Sequence, residues 1–110
     1  MGDYCWLGDS CEILNLEQVT LEDHVAIAHE VYLATGSHNI RSRTMAYANK
    51  PITIKRGTWV ASRAFIGPGV TIGENCVVGA GALVVKSVPN DSIVLSAPAQ
   101  VVGRREITDP

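Results

Sequence analysis

Residues 54–84 read IKRGTWVASRAFIGPGVTIGENCVVGAGALV, and an aliphatic residue returns in them at every sixth position: Ile54, Val60, Ile66, Ile72, Val78 and Val84. Four positions after each comes a small or β-branched residue, in turn Thr58, Ala64, Val70, Cys76, Ala82 and Val88. A period of six fits neither a 3.6-residue helix nor a lone alternating strand. It is the mark of a solenoid, whose repeats bury their apolar faces only by stacking on one another. The same phase holds at Met1, Leu7 and Ile13, slips by two residues, and resumes at Leu21, Ile27 and Leu33. Three hexads then make one triangular coil of about 18 residues, built of short parallel strands. The segment 39–51 has lost the phase and reads as a loop thrown outward, and a short tail follows the last hexad. Both interior positions of an edge cannot be large in so narrow a prism. Gly67, Gly69, Gly73, Gly79 and Gly81 suit corners that need a positive φ or a close backbone approach.

At 110 residues the chain reads as a single domain, 1–110. Nine Lys and Arg against eleven Asp and Glu leave a net charge of −2, with no basic stripe of the kind nucleic acid requires. No apolar run reaches the roughly 20 residues of a membrane span, and no signal-peptide pattern opens the chain, so a cytoplasmic protein is expected. Three cysteines do not make a disulfide framework. Cys5, Cys11 and Cys76 fall at the small interior position and read as apolar fillers.

The position before each core aliphatic points outward. Trp6, Tyr32, His38, Trp59 and Phe65 occupy it, four of the six aromatics among them. Large rings gathered on an outer surface mark an interface, so a homo-oligomer is expected; if the rings share one edge, parallel association of three copies would bury them.

With these features in place, the segments VTLEDHVAIAHEVYLATGSH (19–38), TWVASRAFIGPGVTIGENCVVGAGALVVKSVP (58–89) and SAPAQVVG (96–103) resemble the hexapeptide-repeat O-acetyltransferases, in particular the colanic-acid and exopolysaccharide branch and the maltose and galactoside enzymes. The resemblance covers nearly the whole chain. It implies an all-β, left-handed parallel β-helix, an exception to the right-handed rule for parallel strands. It also implies a homotrimer with active sites between copies, acetyl-CoA as acyl donor, no metal, and a saccharide hydroxyl as acceptor. His38, in Thr35-Gly36-Ser37-His38, matches the general base, whose imidazole would take the proton of the attacking hydroxyl in a direct transfer. The backbone N–H of Ser62 is placed near the thioester carbonyl, where an oxyanion needs donors, and Ala80 along the pantetheine arm. Trp59 falls in or beside the donor cleft, Lys86 near the phosphates of the coenzyme, with Arg104 and Arg105 as supplements from the tail. Asn15, beside the two-residue slip, falls where relatives contact the sugar, and the loop with Arg41, Arg43 and Tyr47 could cover the acceptor.

The chain departs from the pattern in carrying Val85-Lys86 in place of Thr-Lys and Gln100 and Gly103 in place of basic residues, and in being short at its N-terminus. Those departures keep open a trimeric scaffold that has lost turnover. A zinc enzyme of the γ-carbonic-anhydrase type uses the same solenoid and a His-x4-His spacing, which His24 and His29 share, but their phase against Leu21 and Ile27 differs from that enzyme's.

Overall fold

The computed structural model describes residues 1–95 and 99–109, an elongated prism of 53 × 28 × 21 Å. Strand follows strand around three faces. The first coil holds β1 (Trp6–Leu7), β2 (Glu12–Leu14) and β3 (Val19–Leu21), and the second β4 (Ala26–Ile27), β5 (Tyr32–Ala34) and β6 (Ile52–Ile54). The third holds β7 (Trp59–Val60), β8 (Phe65–Ile66) and β9 (Thr71–Ile72). The fourth holds β10 (Val77–Val78), β11 (Leu83–Val84) and a single bridge from Val88 to Ile72. Each strand pairs in parallel with its counterpart one coil away: β1-β4-β7-β10 form the first face, β2-β5-β8-β11 the second and β3-β6-β9 the third. The register Thr53 with Thr71 and Phe65 with Leu83 gives the 18-residue coil expected from the hexads.

The interior follows the six-residue phase. Ile54, Val60, Ile66, Ile72, Val78 and Val84 are buried, and so are Thr58, Ala64, Val70, Cys76, Ala82 and Val88. Full burial of each aliphatic side chain contributes about 1.5–3 kcal/mol before the entropy of ordering. Thr58 is satisfied inside the prism, donating to the carbonyl of Gly73 and accepting from the Cys76 amide. Burial pushes the Cys76 thiol up, which fits its expected role as filler. The rule of one large residue per edge is not strict, since Ile52 and Ile54 are both buried on β6. Leu7 and Ile13 carry the interior phase yet are 41% and 40% exposed, because only one neighbouring coil covers them; Met1 is exposed as well.

Corners turn through a left-handed residue. Among the described residues, at seven of them it carries a side chain (Tyr4, Ser10, His24, Glu30, Arg63, Asn75, Asp91), and glycine stands there at Gly57, Gly69 and Gly81. Gly73 serves the other purpose foreseen for glycine: a Cβ there would lie 2.5 Å from the Asn90 amide nitrogen of the next coil.

Two further features differ from the sequence reading. The outward segment is an ordered arm with its base at Thr35 and Lys50, somewhat wider than 39–51. Lys50 donates to the Thr35 carbonyl, Ala48 to Ser37 and Asn39 to Ala46, and the Ser37 amide is capped by Asn49. The tail is no loose end either: β12 (Ser92–Leu95) extends the first face in parallel from β10, and β13 (Gln100–Arg104) returns antiparallel along it. Of the segment 96–103 compared above, residues 96–98 lie outside the described part. Among the described residues no helix is long and apolar enough to cross a membrane.

Candidate active site on two edges of the prism

The edge between the first and second faces repeats one corner four times. Asp9, His29, Ser62 and Ala80 stand in a column, each followed by a residue of positive φ (Ser10, Glu30, Arg63, Gly81). The column is laced by the amides of Glu30, Arg63 and Gly81, which donate to the carbonyls of Asp9, His29 and Ser62 at 2.9, 3.2 and 2.9 Å. The amides of Ser62 and Ala80 themselves donate to no acceptor among the described residues. Ala80 is exposed, and among the described residues a Cβ on Gly81 would meet nothing within 4 Å, so no described group covers the ground beside these two amides. Ser62 Oγ is hydrogen-bonded to His29 Nδ1 at 3.1 Å. Arg63 Nε donates to Glu30 at 2.6 Å, and that bond holds the Glu30 carboxyl below its ordinary range.

The edge between the second and third faces carries the other candidates. Asn15, in the slip, and Lys86 are exposed there, and the arm with His38 leaves from the same edge. His38 is exposed but held. Its backbone bridges to Tyr47 across the arm, its ring stacks on Tyr47 with centroids 5.2 Å apart, and its Nδ1 lies 2.7 Å from the Met45 carbonyl oxygen. A carbonyl only accepts, so Nδ1 bears the ring proton and Nε2 is the unprotonated nitrogen of the neutral imidazole. Beneath the arm, buried Thr35 donates from Oγ1 to the Leu14 carbonyl and accepts from the Glu17 amide at 3.1 Å, tying the slip that carries Asn15 to the base of the arm.

The candidates therefore fall into two groups. Ser62, Ala80 and the half-exposed Trp59 belong to the first edge and first face; His38, Asn15 and Lys86 belong to the second edge. Arg104, on β13, is 3.9 Å from Asp91 and largely exposed, and Arg105 donates to the Gly57 carbonyl, which ties it to the third edge. The aromatics divide as well: Trp6 and Trp59 stand on the first face, while Tyr32 and Phe65 stack on each other on the second, centroids 5.4 Å apart. They do not share one edge.

Two hollows accompany these groups. A groove of about 800 Å³ runs along the first face and first edge, bordered by Trp6, Asp9, Ala26, His29, Glu30 and Trp59. A second, of about 370 Å³, lies at the far end of the prism between Leu83, Val85, Lys86, Val88 and Val101. His38 borders neither. His24 stacks on Tyr4 at the third edge and His29 bonds Ser62 at the first, so the two do not converge; no cluster of three metal-ligating side chains occurs among the described residues. The sequence reading missed the roles of Thr35, His29 and Met45. The 18-residue coil did hold the signal for His29, which stands one coil before Ser62.

Residues 51–86 match the family described as bacterial transferase hexapeptide (six repeats). Across 109 residues, 99% of the chain, it is 38% identical to a protein of Escherichia coli K12 whose name assigns it to colanic acid biosynthesis as an acetyltransferase, and it covers 60% of that relative. It is 42% identical over 95 residues to the galactoside O-acetyltransferase of the same organism, covering 83% of this chain and 45% of the relative. The crystal structure of a maltose O-acetyltransferase from Clostridium difficile 630 superposes with a TM-score of 0.90 at 27% identity, over 96% of this chain and 58% of that one. A galactoside acetyltransferase in complex with coenzyme A gives 0.82 at 25% identity, over 96% and 64%. The chain thus spans less than two thirds of the length of these relatives. Its repeats, its coil and these likenesses make it a member of the bacterial hexapeptide-repeat transferase family, folded as a left-handed parallel β-helix.

Proposed function

We propose that the protein transfers an acetyl group from acetyl-CoA to a hydroxyl of a saccharide, in a cleft between two copies of the chain, with His38 as general base. The observation that carries the reading is the state of His38. Its proton is committed to the Met45 carbonyl and its plane is fixed by Tyr47, so Nε2 is the free base on an exposed ring. A base held in this way contributes about 10²–10⁴ in rate by taking the proton of the attacking hydroxyl. Acetyl-CoA, when bound, supplies the acetyl thioester. The free amide of Ser62 would donate to its carbonyl oxygen, where negative charge develops, and Ala80 would line the pantetheine arm. Lys86, exposed beside the apolar hollow at the end of the prism, would meet the phosphates, with Arg104 on β13 as a second cation. Names of relatives such as galactoside O-acetyltransferase, and the coenzyme A in one solved relative, support donor and acceptor alike.

The two-edge arrangement is what argues for a trimer. If the first edge of one prism faces the second edge of the next, the contact is heterologous, and three triangular prisms close it into a ring with three clefts. The arm of one copy, with exposed Ile40 and Tyr47 and basic Arg41 and Arg43, then approaches the groove of its neighbour, with Asp9, Glu30 and the tryptophans. Asn15, beside His38 through Thr35, would contact the sugar. A cytoplasmic location goes with the use of acetyl-CoA. Calorimetry with coenzyme A and turnover of acetyl-CoA with a sugar panel test the reading together. One site per chain and a His38→Ala variant that binds coenzyme A normally but turns over 10²–10⁴-fold more slowly are expected. Absence of binding at millimolar coenzyme, or full activity without His38, would overturn it.

A further inference from the structure

We infer that Ser62 is a nucleophile with His29 as its base, and that together they take the acetyl group from an activated donor and pass it to water. Ser62 Oγ lies 3.1 Å from His29 Nδ1, within the reach at which an imidazole activates a hydroxyl. The pair is made by the fold. Ile27 is in register with Val60, so the second residue after each, His29 and Ser62, meet at the same corner of successive coils. Neither is shut away: His29 is exposed and Ser62 half-buried, and His29 borders the groove of about 800 Å³ on the first face.

Donors for an oxyanion stand at the same place. The amide of Ser62 and that of Ala80, one coil further on, donate to no acceptor among the described residues. Neighbouring strands lie about 4.8 Å apart, so a single oxygen about 2.9 Å from each amide nitrogen can bridge the two. In serine hydrolases one donor is the nucleophile's own amide, which brings the carbonyl carbon to the serine oxygen. Ser62 offers both groups. For Nδ1 to accept, the ring proton is on Nε2, and carboxylates are at hand to stabilise the imidazolium that forms. One is Glu30, whose carboxyl is held low first by Arg63 and in smaller part by the charge of His29; the other is Asp9, which stands one coil before His29 and borders the same groove.

As the bond from Oγ to the carbonyl carbon forms, the hydroxyl proton passes to Nδ1. The bond from that carbon to the leaving group then breaks, and the leaving group departs with the proton. Water attacks the acetyl-Ser62 ester and gives a proton to Nδ1, which returns it to Oγ as acetic acid leaves. With acetyl-CoA the leaving group is the thiol of the coenzyme, and that part of the inference rests on the proposed donor site; an activated ester needs no such site. A sugar hydroxyl under His38 would compete for the same carbonyl, so hydrolysis is the reaction of the sugar-free protein.

The first probe is p-nitrophenyl acetate. A burst of about one p-nitrophenolate per chain is expected, with the acetyl group mapped to Ser62 by mass spectrometry of acid-quenched peptides. Ser62→Ala should lose both, and Ser62→Cys should keep acetylation at that position. His29→Gln, which can still hydrogen-bond but cannot act as a base, should slow acylation about 10²–10⁴-fold. The inference is overturned if the wild-type protein takes no acetyl group, if the group maps to another side chain, or if Ser62→Ala or His29→Gln reacts as wild type does. Acetyl-CoA then separates the two readings. Acetylation of Ser62 by the ester, with neither binding nor cleavage of acetyl-CoA, refutes the donor site and leaves the nucleophile standing; coenzyme A binding without acetylation of Ser62 by either donor overturns the inference and leaves acetyl transfer intact.

Discussion

Replacing Thr35 by valine removes one hydroxyl and nearly nothing else, and its effect can be worked from the bonds it breaks. The side chain is fully buried; Oγ1 donates to the Leu14 carbonyl and accepts from the Glu17 amide. Valine keeps the shape. The Leu14 carbonyl retains a partner, because the Thr35 backbone amide also donates to it at 3.0 Å. The Glu17 amide loses its acceptor, and Glu17 is exposed, so water can replace part of the bond. The net cost is then about 1–2 kcal/mol, the lower part of the range for an orphaned buried donor. For a chain of this size that lowers the melting temperature by roughly 5–10 °C, measured at fixed protein concentration because of the proposed trimer. The second consequence is functional, since the hydroxyl ties the slip that carries Asn15 to the base of the arm that carries His38. Turnover should fall and KM for the sugar rise, while coenzyme A binds as before. Thr35→Ser, which keeps the oxygen, should restore most of both. A valine variant as stable and as active as wild type would refute the reasoning.

Other consequences are simpler. Gly73→Ala must push a methyl group against the Asn90 backbone of the next coil and should destabilise by about 1–3 kcal/mol, while Gly81→Ala meets open space and only the strain of a positive φ, about 1–2 kcal/mol; thermal melts should show a trimmed fourth coil in the first variant alone. The Glu30 carboxyl is held low mainly by the hydrogen bond from Arg63, so its stabilisation is present above the ordinary glutamate range and lost as pH falls through the lower folded value. In Arg63→Gln the carboxyl should titrate higher by NMR, and the stability difference from wild type should vanish in acid and shrink in salt; an unmoved titration midpoint would remove the ion pair from the account.

What the sequence made legible was the interior. A six-residue period reports which side chains point inward, and from Leu21 to Val88 those side chains are buried. It says less about the outside, because an edge and a face look alike until positions are counted by 18 rather than by six. Counted so, Ser62 falls over Ala80 while His38 belongs to another edge, and the separation of the candidates onto two edges becomes visible. The corners were legible only in part, where glycine marks them. Stacked coils over-determine the backbone, so residues such as Glu30 and Arg63 are held at positive φ and residue type does not announce them. The hairpin of β12 and β13 has no hexad phase at all, being antiparallel, and read as a tail. The carbonyl of Met45 could not have been foreseen as the partner of His38, because backbone groups leave no trace in residue type.

The most direct test of the central claim, an active site shared between copies, is complementation. His38→Ala removes the base from the second edge, and Ala80→Trp blocks the open ground on the first edge; each variant alone should be inactive. Assembled together from a mixture, random trimers place an intact first edge beside an intact His38 in about a quarter of their clefts. Recovery of about that fraction of wild-type activity is the predicted result. If the mixture stays as inactive as its components although the copies have exchanged, both groups act within one chain and the two-edge site is wrong.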